Sequence, residues 1–230
     1  MMRVLNLAEI GKREVNARLH DRDAGSADPH WRVENPQGQH SIAAGLDAPL
    51  VVEIAGHAGY YCAGMNQHAT VILEGNAGVG VAENMMSGKV HVKGDASQSA
   101  GATAHGGLLV IDGDASARCG ISMKGIDIVV KGSIGAMSAF MAQSGNLVVL
   151  GDAGEALGDS IYEARVYVRG TVASLGADCI EKPMESPHRD VLRGLLDAAG
   201  LGAEIDVAAF RRYGSARSLY NFHVDNAAAY

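Results

Sequence analysis

Three cysteines (Cys62, Cys119 and Cys179) and nine histidines are the side chains of this 230-residue chain best suited to hold a metal or attack a substrate. A zinc site or an iron–sulfur cluster needs three or four such ligands brought together, usually announced by close pairs such as C-x-x-C or H-E-x-x-H. Neither motif occurs, and the histidines share no common spacing. The expectation is no bound metal and three thiols acting as small buried hydrophobes. The segment Gly75–Gly80, GNAGVG, has the glycine spacing of a phosphate-cradling loop. That chemistry requires the loop to follow a strand and open a helix, whereas these glycines fall on a repeat. Asp159 and Glu163 invite an acid/base reading, but no segment forms a pocket around them, so they read as solvated corner residues. No catalytic, cofactor-binding or metal-binding residue is expected.

Two groups suit contact with another protein. Met85 and Met86 (ENMMSG), Met123 (GISMKG) and Met141 (FMAQSG) recur at similar places. They either fill gaps at a corner or offer a soft, adaptable contact surface. Near the end stand Phe210, Arg211, Arg212, Tyr213, Arg217, Tyr220, Phe222 and Tyr230. Aromatic and arginine side chains are the usual anchors of interfaces, so this segment is expected to dock a partner, to cap the fold, or both.

A regular framework must position these groups. Stepping by 19 from Gly94 reaches Gly56, Gly75, Gly113, Gly132, Gly151 and Gly170. Two residues before each mark stand Ile54, Leu73, Val92, Ile111, Val130, Val149 and Val168. Four before stand Val52, Val71, Val90, Leu109, Ile128, Leu147 and Val166. Aliphatic residues at period two predict a strand with one buried face. The residue just before each mark runs Ala55, Glu74, Lys93, Asp112, Lys131, Leu150, Arg169, a solvent column of largely alternating sign. The residue just after it is mostly a turn former, from His57, Asn76, Asp95 and Asp114 to Ser133, Asp152 and Thr171. Two after comes a small aliphatic residue that suits an inward corner.

This pattern predicts an all-β fold: a single-stranded, right-handed parallel β-helix of about seven 19-residue turns with short helical or irregular terminal caps. A left-handed hexapeptide coil would place aliphatic residues every six positions, and βαβ units would need helices where the chain is rich in glycine. The coil is assigned to residues 49–182. Residues 1–48 form an N-terminal cap and irregular first turn, with a helix in LAEIGKREVNARLHD and an imperfect strand in HWRVENPQG. Residues 183–230 hold a helix capped by Ser186, with Val191, Leu192, Leu195, Leu196 and Ala199 as its apolar face and Gly200 as its stop, followed by the docking arm.

Composition narrows the function. A net charge of −7 argues against a nucleic-acid partner, because phosphate binding needs clustered positive charge. No run of 18 apolar residues suggests a membrane span. Unpaired cysteines and no export signal point to the cytoplasm.

At this point a family likeness emerges. Gly94…Gly101 and MMSGKVHVKG resemble the C-terminal β-helix (GXGXG) domain of the glutamate synthase large subunit. YYCAGMNQ, RCGISMKG, GDSIYEARVYVRG and FRRYGSARSLYNF are similar to the separate β-helix subunit of N-methylglutamate synthase, across nearly the whole chain. The β-helix subunit of formylmethanofuran dehydrogenase is a more distant likeness. The resemblance implies a hetero-oligomer with a class II glutamine amidotransferase-like subunit and a glutamate synthase-like subunit carrying FMN and an iron–sulfur cluster. Such a complex exchanges methylamine for ammonia on glutamate, and the β-helix serves as a scaffold without catalytic residues or cofactors of its own. The rival from another class is a self-sufficient β-helix enzyme acting on carbohydrate. It calls for clustered carboxylates on one face and an export signal, and the sequence offers neither.

Overall fold

The structure, a computed structural model, describes residues 2–21 and 30–217. The expected parallel coil is present. Strands β1 (Arg3–Asn6) and β2 (His30–Glu34) precede it. The coil strands proper are β3 (Val51–Ile54), β4 (Thr70–Leu73), β5 (Lys89–Val92), β6 (Leu108–Ile111), β7 (Lys124–Val130), β8 (Ser144–Val149) and β9 (Arg165–Val168). Each pairs in parallel with the next, so that Val52, Val71, Val90, Leu109, Ile128, Leu147 and Val166 stack in one column. That column and the one two residues on are fully buried. Stacked aliphatic ladders of this kind remove most of the apolar surface each strand carries, and that burial drives the coil.

Two corners close each turn. At the first, Ala58, Ala77, Ala96, Ala115, Ile134, Ala153 and Val172 form a single inward ladder of β-bridges. The preceding glycines are needed because turns stack there without room for a side chain. A Cβ on Gly94 would lie 3.0 Å from the carbonyl carbon and oxygen of Gly75, and closer still to Asn76 Oδ1. At the second corner the backbone turns left-handed at every other residue. Met137, Ala139 and Met141 have φ of 56°, 56° and 52°, and the same three places are left-handed in the neighbouring turns. Left-handed backbone is unfavourable for non-glycine residues and persists only where surroundings fix it. Here adjacent turns do so: Met137 and Met141 donate backbone N–H groups forward to Glu155 and Asp159, and Ala139 donates back to Cys119, each at 2.8 Å.

The ends depart from the repeat. Helix α1 (Leu7–Leu19) begins at Asn6, whose side chain accepts from the Ala8 N–H, and breaks at Gly11, where φ is +73°. Leu7, Val15 and Leu19 join the coil core. After the last turn, β10 (Cys179–Lys182) leads to helix α2 (Ser186–Ala198), and β11 (Arg211–Ser215) returns antiparallel between β9 and β10.

Helix α2 differs from expectation in two ways. Its N-cap is Glu185, not Ser186: the Glu185 carbonyl accepts from the His188 N–H at 3.1 Å while the His188 ring accepts from the Glu185 N–H at 3.2 Å. Val191 is 36% exposed, so the buried face narrows to Leu192, Leu195, Leu196 and Ala199. These residues, with Val207 and Phe210, cover Val110, Val129, Val148 and Tyr167 on the outward side of β6–β9. The single buried face expected for every strand therefore becomes two in this half of the coil. Lys89 Nζ, 2.9 Å from the Ala198 carbonyl, ties the C-terminal end of α2 to the sheet, where a cation also meets the negative end of the helix dipole.

Candidate interaction surface

Much of the polar chemistry of the repeat is directed along the coil. One residue past each marker glycine, a side chain accepts from the backbone N–H of the next turn. His57 Nδ1 takes the Asn76 N–H at 2.9 Å, Asn76 Oδ1 that of Asp95 at 3.0 Å, and Asp95 Oδ1 that of Asp114 at 2.9 Å. Asp114 Oδ1, Ser133 Oγ and Asp152 Oδ1 continue at 2.7, 3.0 and 2.7 Å. Bonds from the Thr171 backbone and hydroxyl hold the Asp152 carboxyl below its ordinary range. The sequence marked these positions as turn formers; their side chains also bond each turn to the one above it.

The open half of the sheet face carries two ion networks. Arg32 bridges Glu53 and Glu74, at 3.1 Å to each, and His30 lies 2.9 Å from Glu53. Farther along, Asp112 meets His91 Nε2 at 2.8 Å, Lys131 at 2.7 Å and Lys93 at 3.7 Å. Burial alone would raise the Asp112 carboxyl, but the bonds from Lys131 and His91 outweigh it and hold it low. Burial pushes His91 below the ordinary histidine range despite its bond to Asp112. The sequence identified the column of Lys93, Asp112 and Lys131. It missed His30, Arg32, Glu53 and His91, which lie on the same outward face; the signal was their place two residues earlier in each strand, or four for His30.

The sequence-selected contact residues separate. Met85 and Met123 are fully buried and share an interior column with Ala104 and Ala142, large and small side chains alternating. They fill the coil and offer no surface. Met86 and Met141 are 44% and 52% exposed, but nearly three turns, roughly 14 Å at strand spacing, separate them. Phe210 lies under α2, and Tyr213 is buried in the coil core with the Arg211 guanidinium 5.9 Å over its ring. Arg211 donates to the Gly170 carbonyl at 2.9 Å, Arg212 to that of Pro183 at 3.0 Å, and Arg217 pairs with Asp178. These residues close the last turn. Tyr220, Phe222 and Tyr230 lie outside the described residues.

All three cysteines are buried and unpaired. Burial pushes the Cys62 and Cys119 thiols up to about 12 and Cys179 up to about 11, so none is a thiolate nucleophile near neutral pH. Among the described residues no three His, Cys, Asp or Glu side chains come together as metal ligands, and no helix is long and apolar enough to cross a membrane. Asp159 and Glu163 stay apart from any such group; Asp159 accepts from the Ser160 hydroxyl at the corner, at 2.8 Å. GNAGVG forms the first corner and the start of the second, with no helix following it.

No protein-family model matches the chain. Protein GlxC of Rhizobium meliloti (strain 1021) is 62% identical over 229 residues, an alignment that spans the whole of both chains. With that identity over its full length, the chain belongs to the GlxC family.

Proposed function

We propose that this protein is a structural subunit of a glutamate synthase-related flavoenzyme complex, with no active site of its own. The observation that carries the reading is the direction of its polar groups: the first-corner column bonds the next turn, the sheet-face charges pair with one another, and the thiols are sealed in the core. Such a molecule is built to hold a shape. The phrases shared with the GXGXG domain supply the type of complex. Its partners are a class II glutamine amidotransferase-like subunit and a subunit carrying FMN and an iron–sulfur cluster. The reaction we assign to the assembly converts glutamate and methylamine to N-methylglutamate and ammonia, as the likeness to the N-methylglutamate synthase β-helix subunit implies. A cytoplasmic location fits this chemistry.

The test is purification of the tagged full-length chain from its source cells, with identification of co-purifying proteins and an assay for methylamine-dependent N-methylglutamate formation. The expected result is a flavin-containing complex that is active, and a chain that alone carries neither flavin nor activity. Turnover by the chain alone would overturn the scaffold reading. A flavin complex that is inactive with methylamine but active with another nitrogen donor would overturn only the assigned reaction.

A further inference from the structure

Charge pairing lapses at the last strands. Arg32, Lys93 and Lys131 each meet a carboxylate on the sheet face, and Arg217 meets Asp178. Arg165, Arg212 and Lys182 do not: among the described residues, no carboxylate forms a hydrogen bond or ion pair with any of the three. Register nonetheless brings them together. Lys182 on β10 stands directly opposite Arg212 on β11, and Arg212 directly opposite Tyr167 on β9. Val166 and Val168 face the core and Tyr167 faces outward, so Arg165 shares the outward face with Tyr167, Arg212 and Lys182. A Cβ on Gly214, one row away, would lie 3.9 Å from Arg212 Nη1 and 3.8 Å from Lys182 Cγ. The two long cationic side chains therefore flank the same spot.

Like charges directly opposite on neighbouring strands destabilise a sheet, so this arrangement costs the isolated chain something. Arg212 spends its Nε–H on the Pro183 carbonyl at 3.0 Å, which fixes the guanidinium and leaves its terminal N–H groups for another acceptor. Burial and the charge of Arg165 lower the Arg212 pKa, and Glu185 opposes them without reversing the shift. Burial, Arg212 and Arg165 likewise lower His188 at the start of α2. The missing partner is an anion. On the same face Ile180, opposite Gly214, is 42% exposed.

We propose that Arg165, Arg212 and Lys182 receive an acidic segment of a partner protein, with Ile180 as the apolar contact beside them. The cations span three neighbouring strands, about 10 Å at strand spacing, which suits several carboxylates along a chain better than one small anion. Each guanidinium can take a carboxylate through two N–H groups at once. Complementary charge of this kind selects a partner and speeds its arrival. The occupant rests on the subunit reading.

The test is Lys182→Glu in the tagged full-length chain, purified from its source cells beside the wild type. The substitution replaces the like-charge pair with Arg212 by an opposite-charge one, so the melting temperature should hold or rise. Recovery of the co-purifying subunits should nevertheless fall about tenfold, the factor that follows from losing one charge-assisted contact. In the wild-type complex, carbodiimide should couple the Lys182 amine to an Asp or Glu of a partner subunit, located by mass spectrometry. A lowered melting temperature would make Lys182 a prop of the fold and overturn the proposal. So would undiminished recovery, or coupling of Lys182 only to carboxylates of this same chain, within one copy or between copies. Loss of wild-type recovery in millimolar phosphate at constant ionic strength would make this a site for a small anion and also overturn it. Absence of any partner from the wild-type preparation would sink the subunit reading and this proposal together, whereas partners held equally by both chains would sink this proposal alone.

Discussion

Ala43 donates its backbone N–H to the side-chain Oδ1 of Asn16 at 3.0 Å, and Asn16 Nδ2 donates in turn to the Ser41 carbonyl at 2.8 Å. In the following turns the equivalent N–H groups of Ala63, Ala82 and Gly101 reach back to carbonyls of the turn before: Ile42, Cys62 and Val81. The first turn has no predecessor, so one side-chain amide on α1 stands in for it. Asn16→Leu should therefore lower stability by about 1–3 kcal/mol, the cost of leaving buried amide groups unpaired. Urea unfolding measures the loss, and hydrogen exchange should accelerate first at Ala43. A change below a few tenths of a kcal/mol would show that water replaces the cap.

Two glycines make opposite predictions. Gly94→Ala places a methyl against the Gly75 carbonyl and the Asn76 side chain and should be strongly destabilising. Gly194, in the middle of α2, has nothing within 4 Å of a Cβ. Gly194→Ala should raise stability by about 0.5–1 kcal/mol through helix propensity. Thermal unfolding of the two variants decides the matter, and effects of the same sign would contradict the stacking geometry.

Acidification should weaken the coil in two steps. The folded-state pKa of His91 is depressed below its ordinary 6.5, so as pH falls below 6.5 the unfolded chain takes up the proton first and stability declines. The folded-state pKa of Asp112 lies below its ordinary 3.8. Its contribution is present above that value and is lost as pH falls through the lower, folded one. His91→Gln should flatten the first decline and, by removing one of the two bonds that hold the Asp112 carboxyl low, reduce the second. Urea midpoints across the acid range check this, and an unchanged profile would remove His91 from the account.

The chain beyond α2 contains two separable pieces. Removing residues 210–230 deletes β11 and the buried Phe210 and Tyr213, so the melting temperature should fall sharply. Removing only residues 218–230 leaves β11 in place and should preserve it. Pull-down with partner subunits then isolates any docking role of Tyr220 and Phe222. Normal assembly of the shorter truncation would end that role.

The coil was legible because a 19-residue step keeps each column to one chemical type, and parallel stacking makes those columns ladders. What escaped notice were features without a repeating residue type. The left-handed second corner uses Met137, Ala139 and Met141 as readily as glycine, because hydrogen bonds from adjacent turns fix the backbone. The cover provided by α2 did leave a trace: Leu108–Ile111 and Leu147–Leu150 are apolar without alternation, as strands buried on both faces are. The cap at Glu185 was obscured by Ser186, a better N-cap residue by type that stands one place too late. Met85 and Met86 are adjacent in sequence, one inside and one outside, a distinction that only the register resolves.

The side-chain ladder of the first corner has a direction. Each acceptor, from His57 through Asp152, waits for an N–H made nineteen residues later. A chain emerging from the ribosome can thus add one finished turn at a time onto a template already in place, with Asn16 present before the first turn arrives. Most pairing spans a single turn, which keeps each loop closure short. The exceptions come last in synthesis: Lys89 meeting Ala198, and β11 sliding between β9 and β10. Until β11 arrives, the growing end of the coil exposes an open strand edge, so the hazardous interval for misassembly falls late, between the completion of β9 and the release of the chain.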